Sequence, residues 1–160
     1  MRIVKAVNLD QPEGIFPYTE TAAQHACFTI HNYRRKALEH VRRSYPEPER
    51  GRLVARYAQD AQANGGSDLF TLFARRRGWV ARLRRDLSGI RRVDIQGERA
   101  TVETVRGTRY PLRRRENGIW GLTLFTPTLV GEAEKAARDL ALIEQSAKDY
   151  ERARKAGDGR

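Results

Sequence analysis

The chain predicts an α+β fold in which three N-terminal helices pack on a curved four-stranded antiparallel meander and a long C-terminal helix follows. Three observations carry this. Apolar and polar residues alternate through residues 91–125, the period of a half-buried strand. Gly97, Gly107 and Gly118 punctuate that stretch where the chain must turn, and glycine takes a left-handed backbone at no steric cost. On either side, apolar residues recur at helical spacing.

Taken in order, Ile3 to Val7 reads as a short strand, broken by Gln11-Pro12-Glu13-Gly14. Residues 1–18 thus form an N-terminal extension to a domain over 19–127, with the C-terminal helix and a frayed tail over 128–160. Thr19 or Thr21 caps a first helix to about Ser44, with Ala26, Ile30, Tyr33, Ala37, Val41 and Tyr45 on one face. Tyr45-Pro46-Glu47-Pro48 stops it. Pro48, suited to a first helical turn, opens a second helix to about Asn64, with Leu53, Val54, Tyr57 and Ala61 inward and Gly65-Gly66 closing it. Ser67 and Asp68 cap a third, whose apolar positions Leu69, Leu72, Phe73, Val80, Leu83 and Leu87 continue past a kink or short break at Gly78 to Gly89.

The meander runs over 91–95, 98–104, 108–115 and 119–125. Three-residue loops at Val105-Arg106-Gly107 and Glu116-Asn117-Gly118 pair Val102 with Tyr110, Ala100 with Leu112, Leu112 with Leu122 and Tyr110 with Leu124. Trp120 then lies beside the stem of Arg114. A Gln96-Gly97 turn brings Val93 opposite Ala100. One face carries Val93, Ile95, Ala100, Val102, Tyr110, Leu112, Trp120, Leu122 and Leu124, and is the core face. The other carries Arg99, Arg109, Arg113 and Arg115 with Asp94 and Glu103. Thr128 caps the last helix, which reaches about Lys155. Its seam Ala136, Leu140, Ile143, Ala147 and Tyr150, with Ala133 before it, is a candidate helix interface whose small residues allow close approach to the domain or to a partner.

A chain of 160 residues, 39% hydrophobic, supports one modest core. No apolar run approaches the roughly 18 residues of a membrane span, and the N-terminus lacks the apolar run of a signal peptide. Location is expected to be cytoplasmic, or the bacterial envelope or periplasm if a leader has been removed. The lone cysteine, Cys27, leaves no internal disulfide or thiolate zinc cluster and reads as a small buried hydrophobe. The formal charge of +11 is concentrated in residues 67–118, which hold 14 basic against 6 acidic side chains.

That excess defines two candidate surfaces. Arg75, Arg76, Arg77 and Arg85 lie on the third helix, around Trp79, where a guanidinium stripe with an exposed indole would suit nucleic acid; a core position for Trp79 removes the stacking platform. Arg99, Arg109, Arg113 and Arg115 form the outer sheet face, where Arg99 falls opposite Arg113 and an external anion or acidic protein surface could offset the repulsion. His25, His31 and His40 sit about 240° and 180° apart around one helix at roughly 100° per residue, so they share no face and form no metal site. The inner sheet face offers no paired acid and base, and Asp60 and Asp86 show no evident partner. No cofactor is expected.

The order of helices before a meander, with Gly97-Glu98-Arg99-Ala100-Thr101-Val102 and then Tyr110-Pro111-Leu112-Arg113-Arg114-Arg115-Glu116-Asn117-Gly118-Ile119-Trp120-Gly121-Leu122, resembles small bacterial members of the nuclear-transport-factor-2-like superfamily, also called SnoaL-like or cystatin-like. The resemblance covers residues 19–125. It implies a sheet bent into a cone whose mouth is lined by helices, serving as an enzyme, a ligand binder or an assembly module. Enzymatic members place an Asp or His inside the cone, and here those positions are apolar or Arg. The expectation is therefore a non-enzymatic protein-binding or assembly module, with a protein partner or self-association. A basic anion- or nucleic-acid-binding protein is the alternative, and a hydrolase- or isomerase-type enzyme using the cone pocket a second.

Overall fold

The computed structural model describes residues 2–87 and 89–159 and has the α+β class. Its elements are α1 (Arg2–Asn8), 3-10 turns at Pro12–Gly14 and Phe16–Tyr18, α2 (Thr21–Ser44), α3 (Glu49–Ala61), α4 (Gly66–Arg76), α5 (Trp79–Asp86), β1 (Ile90–Gln96), β2 (Arg99–Thr104), β3 (Arg109–Arg114), β4 (Trp120–Leu122) and α6 (Thr126–Asp158). The sheet is an antiparallel meander in the order β1-β2-β3-β4. Among the described residues five α-helices precede the sheet rather than three. One of the extra two is α5, split from α4 where Gly78 takes a left-handed φ of 63°.

The other is α1, which the sequence reads as a strand. Ile3, Ala6 and Val7 lie one helical turn apart, so as a helix they present one apolar stripe, and burial of that stripe outweighs the β preference of Ile and Val. Arg84 closes the element by donating to the carbonyl of Val7 at 3.0 Å, a cation at the negative end of a helix. Within residues 2–18, Val7, Ile15 and Phe16 belong to the core.

Register follows the expected pairs at two hairpins. Val102 faces Tyr110, Ala100 faces Leu112, Leu112 faces Leu122 and Arg114 faces Trp120, with Gly107 and Gly118 at φ 83° and 80° closing three-residue loops. The first hairpin differs. Gly97-Glu98 forms the turn, so Val93 pairs with Val102 and Ile95 with Ala100; the two-residue slip keeps each side chain on its face. Leu124 does not pair with Tyr110. β4 ends at Leu122, the chain turns so that Phe125 enters the core, and Leu124 is left exposed. The last helix starts at Thr126, ahead of Thr128, and runs through Gly157 and Asp158; Arg160 lies outside the described residues.

α2 spans two cores. Its first half, through Ala23, Ala26, Cys27 and Ile30, faces an aromatic cluster in which the Phe70 ring meets Phe16 at 5.7 Å, Trp79 at 5.7 Å and Phe125 at 5.3 Å between centroids. Tyr110 and Leu122 of the sheet close that core. Its second half, through Ala37, Val41 and the following Tyr45, meets Tyr57 of α3 and Leu140, Ile143 and Ala147 of α6. Beside Val41 and Tyr45 the α6 seam is filled from within the chain, and its last member, Tyr150, packs edge-on to Tyr45 at 5.0 Å.

Between the two cores Arg34 is buried, with its Nη1 donating to Asp139 Oδ2 at 2.6 Å and its guanidinium 4.6 Å above the ring of Tyr57. Removing one member of a buried pair strands the other charge. Asp139→Ala is expected to lower unfolding free energy by about 3 kcal/mol in urea denaturation, and Arg34→Met combined with Asp139→Leu to lower it less than the single change.

Candidate functional site

Two of the four helical arginines, Arg76 and Arg77, are tied to the fold. Arg76 donates to Asp60 at 2.6 Å and Arg77 to Glu132 at 2.9 Å, and both lie over the ring of Phe73. These pairs join α4 to α3 and to α6. Asp60 therefore has a partner after all. Trp79 is buried and offers no stacking surface, while Arg75 and Arg85 are exposed and separated along α4 and α5.

The sheet arginines divide differently. Arg109 faces Glu103, and its Nε lies 3.4 Å from that carboxylate. Arg115 donates to the carbonyl of Pro17 at 2.8 Å and to Gln24 Oε1 at 3.1 Å, pinning the third hairpin loop to the chain ahead of α2 and to the first turn of that helix. Arg99 and Arg113 face each other across β2 and β3. Among the described residues neither has a carboxylate within 4.0 Å, nor does the neighbouring Arg114.

These three arginines border a pair of connected grooves. The larger, about 700 Å³, is lined by Glu20, Thr21, Ala22 and His25 on one side and by Arg113 to Asn117 on the other. The second shares Glu20 and Arg113 and adds Arg99, Thr101, Pro111 and Thr123. The walls meet because Thr19 forms a parallel bridge to Leu122 and the Glu20 N–H donates to the Leu122 carbonyl at 3.0 Å. Gly121 makes this approach possible, since a Cβ there would stand 2.7 Å from the backbone of Thr19 and Glu20. Glu20 is the N-cap of α2, and among the described residues no side chain caps that helix and its first turn carries no acid, so the N–H groups of the turn are free at the positive end of the helix dipole, where Thr21 and Ala22 line the groove. Glu20 is only 8% exposed, and its carboxylate has no hydrogen-bond or ion-pair partner among the described residues.

At the far edge of the sheet β1 is exposed along its whole length. Val93 and Ile95 lie on the same face as Ala100 and Val102, yet are 51% and 62% exposed. The expected core face is therefore covered beneath β3 and β4 and open beneath β1, because the helices that fill the aromatic core do not extend that far.

Asp86 also acquires partners. It ends α5, the helix terminus at which a carboxylate is disfavoured, and is held there by Tyr110 at 2.8 Å and Thr108 at 2.9 Å, both donating. The Tyr110 hydrogen bond, then that of Thr108, hold the Asp86 carboxyl below its ordinary range. Burial, reinforced by Asp86, pushes the Tyr110 phenol up. Acid and phenol are driven apart, so the proton stays on Tyr110 and the pair is a clamp between α5 and β3. Burial likewise pushes the Cys27 thiol up to about 12, which keeps it from acting as a thiolate.

Among the described residues no group of three or more His, Cys, Asp or Glu is placed to hold a metal, and no helix is long and apolar enough to cross a membrane. Sequence reasoning placed the arginines but missed Glu20, His25 as a groove residue, and the anchoring of Asp86. An acid in the last turn of a helix was the available signal for Asp86. No family model matches the chain, and no curated protein or solved structure matches it either.

The clamp has a defined pH window. Asp86, with its lowered pKa, contributes stability above the ordinary carboxylate range near pH 4 and loses it as pH falls through its folded value; Tyr110, with its raised pKa, contributes below about pH 10 and loses it as pH rises further. Tyr110→Phe is expected to lower Tm most between about pH 5 and pH 9, with the gap to the parent closing at either extreme in thermal melts.

Proposed function

We propose that this chain is a non-enzymatic protein-binding module that receives an extended segment of its partner along β1. The observation that carries the reading is the open state of that strand: seven residues, all exposed, at the edge of a sheet, with Val93 and Ile95 bare on the face that is core elsewhere. An edge strand offers unpaired N–H and C=O groups as a template for a further strand. Alternating side chains of the added strand would cover Val93 and Ile95 on one face, and on the other would meet the arginine-rich surface. The excess of 14 basic over 6 acidic residues across 67–118 favours a segment whose outward positions are acidic.

The succession of helices and a four-stranded meander supports placing the chain among binding members of the nuclear-transport-factor-2-like superfamily. A nucleic-acid reading draws less support, since Arg76 and Arg77 are engaged in ion pairs and Trp79 is inside.

Because Val93 and Ile95 are solvent-facing, Val93→Glu with Ile95→Glu is expected to change stability by no more than about 1 kcal/mol. Affinity capture from the native cell extract, with the parent and this double variant as paired baits, should recover a defined partner with the parent only. Backbone amides of β1 should then exchange more slowly in that complex than in the free protein. Equal recovery by both baits, or no change in β1 exchange, overturns the proposal.

A further inference from the structure

The paired grooves beside α2 hold a combination of charges that neither the β1 surface nor the helical ion pairs require. On one side the end of β3 brings Arg113, on the outer face opposite Arg99, and Arg114, on the face of its partner Trp120, to the larger groove; both are exposed and neither has a carboxylate within 4.0 Å among the described residues. On the other, the uncapped first turn of α2 presents Thr21 and Ala22. Guanidinium groups together with a helix N-terminus make a surface for an oxyanion. Between them lies Glu20, more than nine-tenths buried and unpartnered, lining both grooves.

An unpartnered carboxylate in a cationic site disfavours most anions, because it meets their oxygens with repulsion. It accepts an anion that brings its own proton. Sulfate and phosphodiesters are fully ionised near neutral pH and have no such hydrogen to give. A phosphate monoester or inorganic phosphate, with a second pKa of about 6 or slightly above, keeps an O–H through mildly acidic conditions.

We propose that this groove binds a terminal phosphate group that retains a proton: Arg113, Arg114 and the N–H groups of the first turn of α2 hold its ionised oxygens, and Glu20 accepts its O–H. Arg99 extends the cationic wall through the smaller groove, and His25 and Glu116 lie at the rim of the larger one. The site selects monoesters over the diesters of a nucleic-acid backbone, so the basic character of this face does not make it a nucleic-acid surface. The inference stands apart from the β1 reading, since no residue of β1 lines either groove and the larger one lies where Glu20 meets β4.

The test is calorimetric titration of the full chain at pH 6 and constant ionic strength, which holds general screening of the positive charge fixed. Probes are inorganic phosphate, phenyl phosphate, dimethyl phosphate and sulfate. Phosphate and phenyl phosphate are expected to bind at least about tenfold tighter than sulfate or dimethyl phosphate, a difference of one hydrogen bond to a charged group. Preference for phenyl phosphate over free phosphate assigns the site to monoesters, and the reverse to the free ion. Arg113→Ala with Arg114→Ala, both at exposed positions, should weaken phosphate by about tenfold or more. Glu20→Gln should bring sulfate to within about twofold of phosphate. Should Glu20→Gln fail to fold, the phosphate-to-sulfate ratio of the parent decides alone. Equal binding of sulfate and phosphate by the parent, undiminished phosphate binding by the double arginine variant, or no phosphate binding at all overturns the proposal.

Discussion

A guanidinium inside a helical layer holds the layer together only while its carboxylate stays beside it, and Arg34 with Asp139 sets that condition here. α2 is 24 residues long, about 36 Å at 1.5 Å per residue, and no single core of a chain this size could surround it. It is buried instead in two parts, with the aromatic cluster at one end and the α3 and α6 contacts at the other. Arg34 sits where the parts meet. Only an α6 that returns along α2 brings Asp139 to that point. The return also fixes where α6 must start, and so where β4 must end and why Phe125, rather than Leu124, turns inward.

The sheet is attached to this frame at one edge. β4 lies beside Thr19 and Glu20 through a close backbone approach at Gly121, and β3 is tied to α5 by Tyr110 and Asp86. Cover is therefore good at β3 and β4 and absent at β1. The meander continues outward by hydrogen bonding alone, and Val93 and Ile95 keep the alternation of a buried face without anything to bury them. Attachment at one edge produces both features of functional interest. The approach of Glu20 to β4 builds the arginine groove, and the distance of β1 from the helices leaves its edge open.

Much of this was legible in the sequence because it depends on local rules. Alternation and the glycines at 107 and 118 determine which side chains share a face and how β2, β3 and β4 align. The seam of α6 follows from its spacing. What escaped depends on tertiary context. Ile3 to Val7 has the composition of a strand, and only the presence of α5 and the first 3-10 turn beside it makes a helical stripe worthwhile. Phe70, fully buried at the centre of the aromatic cluster, sits next to Leu69 and off the stripe chosen for that helix, because a helix wrapped on two sides buries more than one face. The exposure of β1 cannot be read from alternation, which reports a face's character and says nothing of whether a neighbour covers it.

Arginine abundance by itself argues for nothing, and the structure separates its uses by partner. Arg34, Arg76 and Arg77 join helices through carboxylates, and Arg84 closes α1. Arg91, Arg92 and Arg109 are met on the sheet by Asp94 and Glu103. Arg99 and Arg113 are placed directly opposite one another with no acid in reach, although cross-strand like charges are destabilising and a single Glu at either position would convert the repulsion into attraction. A cost of that kind, left standing where its remedy is one substitution away, is what a surface shaped for an external anion would retain, and Arg113 is the residue common to that facing pair and to both grooves beside Glu20.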